Sequence, residues 1–211
     1  MTRIAVVDYG AGNLVSIEQA LTAVGAEAVI VRDPAGLDGT NGLVVPGVGA
    51  AAPAMERLAA AGLVEPILGW IGSRRPFLGI CLGLQLLFER SDEDGAETLG
   101  VIEGRTSLIE AAPTLPHIGW NQVERTREHP LFEGILDGAD FYFVHSYAGF
   151  PQSKEVELAR TTHGGTFASA VAQGPILGVQ FHPERSGDDG LRLLSNFLAI
   201  VRDPEPAAVK R

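Results

Sequence analysis

The stretch Pro76-Phe-Leu-Gly-Ile-Cys-Leu-Gly-Leu-Gln-Leu-Leu-Phe-Glu89 most restricts what this chain can become. A short apolar run ends at Gly79, and a helix-period pattern restarts straight after Cys81, the one cysteine in 211 residues. The order reads as strand, sharp turn, helix. Glycines at 79 and 83 flank the cysteine in the Gly-x-Cys-x-Gly spacing of a nucleophile elbow, where absent side chains let the backbone turn tightly and expose the central residue. Cys81 is then expected at a helix N-terminus, whose unpaired N–H groups and dipole favour the thiolate, the form that attacks carbonyls.

A lone cysteine in an apolar stretch also reads as a small buried hydrophobe. What favours the nucleophile is its company. The far end of the chain supplies His182-Pro-Glu184 after the strand-like Ile176–Phe181, and a cysteine with a histidine and a carboxylate elsewhere is the material of a triad. One cysteine cannot make an internal disulfide, and five scattered histidines without a second soft ligand argue against a structural zinc site. A net charge of -10 argues against nucleic acid or an anionic membrane surface as the main partner. The apolar run Ile4–Val7 is too short for a signal peptide, and no stretch approaches the roughly 20 apolar residues of a membrane span, so a cytoplasmic location is expected.

Short apolar runs at Ile4–Val7, Ala28–Val31 and Leu43–Val45 have the pattern of strands buried on both faces. Helical stretches are expected over 14–24, 51–61 and 64–71. This alternation predicts an α/β fold: an open, mostly parallel sheet flanked by helices, with ligands beyond the carboxyl ends of its strands. The second half reads differently, with strand-like segments at 118–123, 141–145, 155–160, 166–171 and 176–181 and little helix between them, so a mixed or antiparallel extension of the sheet is expected. A final helix over 189–201 should open after Ser186, as a capping side chain, with Asp188 and Asp189 suiting the dipole. The length suits one domain, 1–202, followed by a polar tail, 203–211, expected to be disordered.

Pro46-Gly-Val-Gly49 follows the third strand directly and so belongs at the same sheet edge as Cys81. It reads as a plain turn, or as a loop whose glycines leave the backbone free to approach a ligand. In cysteine acyl transfer the tetrahedral oxyanion needs two N–H donors, and Leu82 N–H with one donor from this loop would serve. His182 and Glu184 would project to one side of an extended segment, so a bend at Pro183 is needed for them to hydrogen-bond.

Together Pro46-Gly-Val-Gly49, Gly79-Ile-Cys-Leu-Gly-Leu-Gln85 and Gly178-Val-Gln-Phe-His-Pro-Glu184 resemble the class I, triad-type glutamine amidotransferases, in order and over most of the chain. The resemblance implies that Cys81 attacks the side-chain amide of glutamine, that His182 is the general acid/base and Glu184 its orienter, and that a glutamyl thioester is hydrolysed to glutamate after ammonia leaves. It implies no cofactor and no metal. Asp8-Tyr-Gly-Ala-Gly-Asn-Leu14, Pro116-His-Ile-Gly-Trp-Asn121 and Tyr142-Phe-Val-His-Ser-Tyr147 look, more narrowly, like the glutaminase subunits of imidazole glycerol phosphate synthases in histidine biosynthesis. Those work as heterodimers with a TIM-barrel synthase subunit of the HisF type that receives the ammonia through a channel.

Carried over residue by residue, the resemblance assigns Gly47, Val48, Leu82, Gln85, Glu93, Ser146 and Tyr147 to the glutamine pocket and Asn13, Trp120, Tyr142 and Arg185 to the partner surface. Arg185 stands where the family more usually has lysine, which keeps the charge and changes its geometry. His117 and His145 read as structural or interface residues, since the triad is complete without them. The alternatives are the glutaminase subunit of another class I amidotransferase, a non-catalytic partner-binding scaffold, and a cysteine peptidase on the same fold.

Overall fold

The computed structural model describes residues 1–204. Its first half alternates β1 (Thr2–Val7), α1 (Leu14–Ala23), β2 (Ala26–Val31), β3 (Gly42–Gly47), α2 (Ala51–Ala60), α3 (Val64–Gly72), β4 (Phe77–Cys81) and the single-turn α4 (Leu82–Gln85). The second half holds β5 (Arg90–Ser91), β6 (Gly104–Leu108), β7 (His117–Arg125), β8 (Ala139–His145), β9 (Tyr147–Pro151), β10 (Glu157–His163), β11 (Gly165–Gln173), β12 (Ile176–Val179) and α5 (Gly187–Arg202). Residues 205–211, most of the expected disordered tail, lie outside the described residues.

One sheet runs in the order β2-β1-β3-β4-β12-β11-β10-β7-β8. The first five strands are mutually parallel, so the carboxyl ends of β1, β3, β4 and β12 open onto one edge. From β11 to β8 the pairing is antiparallel, the extension expected of the second half. Register sets the site: Gly47 on β3 pairs with Cys81 on β4, and Val179 on β12 pairs with Ile80, which brings Gln180 alongside Cys81.

Successive side chains of a strand point to opposite faces, and a sheet covered on both sides therefore needs apolar residues at every position. In β1 and β3, Ile4, Val6 and Val44 pack on one face against Ile17, Leu21, Leu193 and Phe197 of α1 and α5. Ala5, Val7, Leu43 and Val45 pack on the other against Leu58, Ile67 and Trp70 of α2 and α3. This two-sided burial fixes strand register, because a slip of one residue would exchange the faces.

Two expectations are corrected. The helix-period pattern after Cys81 gives only the four residues of α4. The carbonyls of Leu86, Leu87 and Phe88 are taken by the amides of residues 99–102 rather than by the next helical turn, and Leu86, Leu87 and Phe88 are fully buried. Ser186 precedes α5 without capping it: its hydroxyl donates to the His182 carbonyl over 2.6 Å and accepts from Tyr142 N–H at 3.0 Å. The strands β5, β6 and β9 carry too little apolar patterning to be read from the sequence; β6 and β9 pair with each other on the flank beside β11.

Candidate active site

Cys81 closes β4 with φ 54° and ψ −108°, a left-handed backbone that a side chain adopts only under strain. The strain falls on the cysteine, and its flanking glycines answer a different need. A Cβ at Gly79 would overlap the Gly83 carbonyl, and one at Gly83 would overlap the Val45 carbonyl. The glycines let three backbone segments touch, and that contact holds Cys81 in its unfavourable conformation. Because α4 is one turn long, a macrodipole at Cys81 has little to contribute.

His182 and Glu184 sit on a 3-10 turn, Pro183–Arg185, beyond the end of β12. Proline starts that turn, supplying the required bend. His182 Nδ1 lies 2.8 Å from Glu184 Oε1, with both side chains buried, and His182 N–H donates to the Tyr142 carbonyl. Nδ1 therefore carries the hydrogen that Glu184 accepts, and Nε2 is buried with no hydrogen-bond partner among the described residues, which leaves it for the sulfur. Burial alone would depress the imidazole, but Cys81 and Glu184 outweigh it and push it up to about 10.

A cavity of about 290 Å³ opens over Cys81, lined among others by Val48, Leu82, Gln85, Glu93, Ser146 and Tyr147. Six of the seven residues assigned to the glutamine pocket thus meet there. Gly47 is the exception: it is held in β3 behind the lining, where a Cβ would overlap the Tyr9 hydroxyl. Glu93 is raised from its ordinary value by burial and then by Asp94. A wider cleft of about 730 Å³ on the flank, bordered by Glu89, Arg105 and Phe150, holds none of these residues.

Sequence reasoning missed Gln180 and set His145 aside. Gln180 Nε2 donates to Cys81 Sγ over 3.6 Å. Gln85 Nε2 donates both to Gln180 Oε1 at 3.1 Å and to the Tyr147 carbonyl at 2.7 Å. His145 lines the cavity, and its Nδ1 donates to that same carbonyl at 2.9 Å. Burial holds His145 down at about 3 and, with His163, His117 at about 4, so both rings are neutral. A carbonyl can only accept, which leaves His145 Nε2 to accept from His117 Nδ1 at 3.2 Å and His117 Nε2 to accept from Asn121 at 3.1 Å. The available sign was the periodicity: His117 on β7 and His145 on β8 are register partners on an inward face.

Of the residues assigned to a partner surface, Trp120 and Tyr142 pair across β7 and β8, with their rings 6.1 Å apart. The Arg185 guanidinium lies over the Tyr142 ring at 4.1 Å, a cation–π contact. Trp120 is 57% exposed, next to the exposed Ile118. Asn13 is exposed at the start of α1, where its side chain accepts from Ser16 N–H as an N-cap, and α1 packs against the turn that holds Arg185.

The family model for "Glutamine amidotransferase class-I" matches residues 5–201. The chain is 47% identical over 204 residues to the imidazole glycerol phosphate synthase subunit HisH of Symbiobacterium thermophilum, covering 96% of each chain. It is 46% identical over 210 residues to HisH of a Synechococcus species, covering 98% of this chain and 97% of that one. Among solved structures, a glutamine amidotransferase superposes with a TM-score of 0.75 at 23% identity, covering 94% of this chain and 98% of that chain. PurLQS from Thermotoga maritima superposes with a TM-score of 0.72 at 17% identity, with the same coverage, 94% and 98%. These two establish likeness of fold.

Proposed function

The chain belongs to the class-I glutamine amidotransferase family, and on that premise we propose that it is the glutaminase subunit of an imidazole glycerol phosphate synthase, working as one amidotransferase domain over 1–202. The observation that carries the reading is the meeting of Cys81, on its strained elbow, with a histidine whose far nitrogen is 2.8 Å from a buried carboxylate.

In this reading the thiol proton already rests on His182, whose imidazole is pushed up to about 10 by Cys81 and Glu184, and Sγ attacks the side-chain carbonyl carbon of glutamine as the thiolate of that pair. The carbonyl π pair moves to oxygen, where Leu82 N–H and a donor from the Gly47–Val48 peptide receive the charge. As the tetrahedral adduct collapses, His182 gives its proton to the departing nitrogen and ammonia leaves. Water then adds to the thioester, losing a proton to His182, and the C–S bond breaks to release glutamate. Glu184 holds the ring with Nε2 towards the sulfur throughout. Gln85, Glu93, Ser146 and Tyr147 bind the glutamine.

The relatives are named as subunits, so a second subunit belongs to the activity. We assign it as a TIM-barrel synthase of the HisF type, docking on Asn13, Trp120, Tyr142 and Arg185. Chemistry supports a closed junction: ammonia that escapes into water is protonated and lost as a nucleophile. No helix among the described residues is long and apolar enough to cross a membrane; a cytoplasmic setting is part of this proposal.

Mixing the purified chain with such a synthase and measuring glutamate release with and without the synthase substrate tests the reading. Release should rise steeply only with both present. Equal release with the synthase of another amidotransferase would contradict it.

A further inference from the structure

We infer that Gln180 is a catalytic residue whose side-chain amide donates a hydrogen bond to Cys81 Sγ and holds the sulfur whenever it bears negative charge. This rests on Cys81 being the nucleophile, as proposed above.

Gln180 is fully buried, and a buried amide must find partners for its donors and its acceptor. Which end faces the sulfur follows from a group with no choice. The Tyr147 carbonyl can only accept, so the Gln85 side chain must present its NH2 to it at 2.7 Å. The same NH2 reaches Gln180 at 3.1 Å, so the Gln180 atom that meets it must be oxygen. The Gln180 NH2 is thereby left pointing at Sγ, 3.6 Å away. A flip at Gln180 would set NH2 against NH2 and leave the sulfur facing an oxygen. Backbone geometry holds the residue in place, since Gln180 N–H donates to the Ser169 carbonyl and β12 pairs in register with β4.

The need for such a donor is specific to this site. A one-turn α4 supplies little dipole, and His182 carries a proton to and from the reacting atoms, so it cannot stay as a fixed partner of the sulfur. A neutral amide can. In the first step it holds the attacking thiolate, whose proton His182 carries. In the last, as water adds to the thioester, the C–S bonding pair returns to sulfur, and the same N–H meets the charge. Hydrogen bonds to a charged acceptor are the strong ones, and those to a neutral thioether-like sulfur are weak, so the bond favours the charged states.

The test is the pH dependence of Cys81 alkylation by iodoacetamide in the full chain, with fold monitored by circular dichroism and melting. In Gln180→Met the donor is gone; the midpoint of the profile should move up by about one pH unit, and alkylation on the acid side of the wild-type midpoint should slow by up to about tenfold. Gln180→Glu keeps the shape and can accept from Gln85, and it should move the midpoint the same way, which covers the case in which the methionine variant does not fold. Gln85→Leu never touches the sulfur, yet by releasing the Gln180 amide to flip it should also raise the midpoint. Profiles that superimpose on the wild type in the folded Gln180 variants would overturn the inference, as would an unmoved Gln85→Leu. Glutamine hydrolysis by Cys81→Ser separates the two layers: if activity persists, the nucleophile assignment itself fails; if it is abolished while the Gln180 profiles stay put, only the role of Gln180 fails.

Discussion

Gly47 is the register partner of Cys81 across the parallel strands β3 and β4, so the Pro46-Gly-Val-Gly49 loop and the Cys81 turn leave the sheet side by side. A donor carried by that loop needs no long reach to meet an oxyanion formed at the sulfur. The pairing also explains why residue 47 is glycine, because β1 runs on into Tyr9, whose hydroxyl occupies the space a side chain would need.

Gly47→Ala should destabilise the fold by about 1–3 kcal/mol through overpacking against that hydroxyl. Tyr9→Phe alone should be neutral or stabilising, since the hydroxyl is buried and has no hydrogen-bond partner among the described residues. The double variant should recover part of the loss, and chemical denaturation of all four proteins measures the coupling. Strict additivity would show that the hydroxyl and residue 47 do not meet.

The loop is also where a partner could switch the enzyme. Its freedom lies at Gly49, with φ +90° and open space around it, while Gly47 is pinned in β3; Val48 between them is 46% exposed. An L-residue in a left-handed conformation costs about 1–2 kcal/mol, so Gly49→Ala should lower glutaminase activity stimulated by the synthase and its ligand more than basal activity. Wild-type complex with equal basal and stimulated rates would rule the gate out.

The parts of the site that were legible in the sequence are those where local chemistry and chain order coincide. Cys81 between two glycines, His-Pro-Glu after a strand and Pro-Gly-Val-Gly after another all lie at strand ends, and alternation of strands with helices says that such ends share an edge. The length of α4 was not legible, because carbonyls of 86–88 are claimed by amides of residues 99–102. Gln180 was not legible either: its role depends on a carbonyl from Tyr147 and an amide from Gln85, neither near it in sequence. The flanking glycines were identified correctly and for the wrong reason, since close backbone approach, rather than their own turn, requires them.

Histidines set opposite limits on stability. His182, held up to about 10 against an ordinary 6.5, binds its proton more tightly in the folded chain; its contribution is complete below pH 6.5 and is lost as pH rises to about 10. His117 and His129, at about 4, and His145, at about 3, are pushed down chiefly by burial. The unfolded chain takes up protons that these three refuse, so their contribution is full above pH 6.5 and lost as pH falls towards 3. Glu93 and Glu157, raised by burial, oppose this only in part and are partly exposed. The urea midpoint should therefore be highest near pH 6.5 and fall on both sides. A midpoint rising steadily from pH 6.5 to 10 would contradict the pairing of His182 with Cys81 and Glu184.

Covalent catalysis at Cys81 is the centre of the account, and one comparison reaches it directly: synthesis by the complex of Cys81→Ala with its synthase partner, fed either glutamine or free ammonia. Loss of the thiol removes the thioester route and leaves an ammonia-fed partner untouched. The expected result is glutamine-dependent turnover reduced by at least about a thousandfold, with ammonia-dependent turnover at the wild-type rate. Substantial glutamine-dependent turnover in Cys81→Ala would contradict the account.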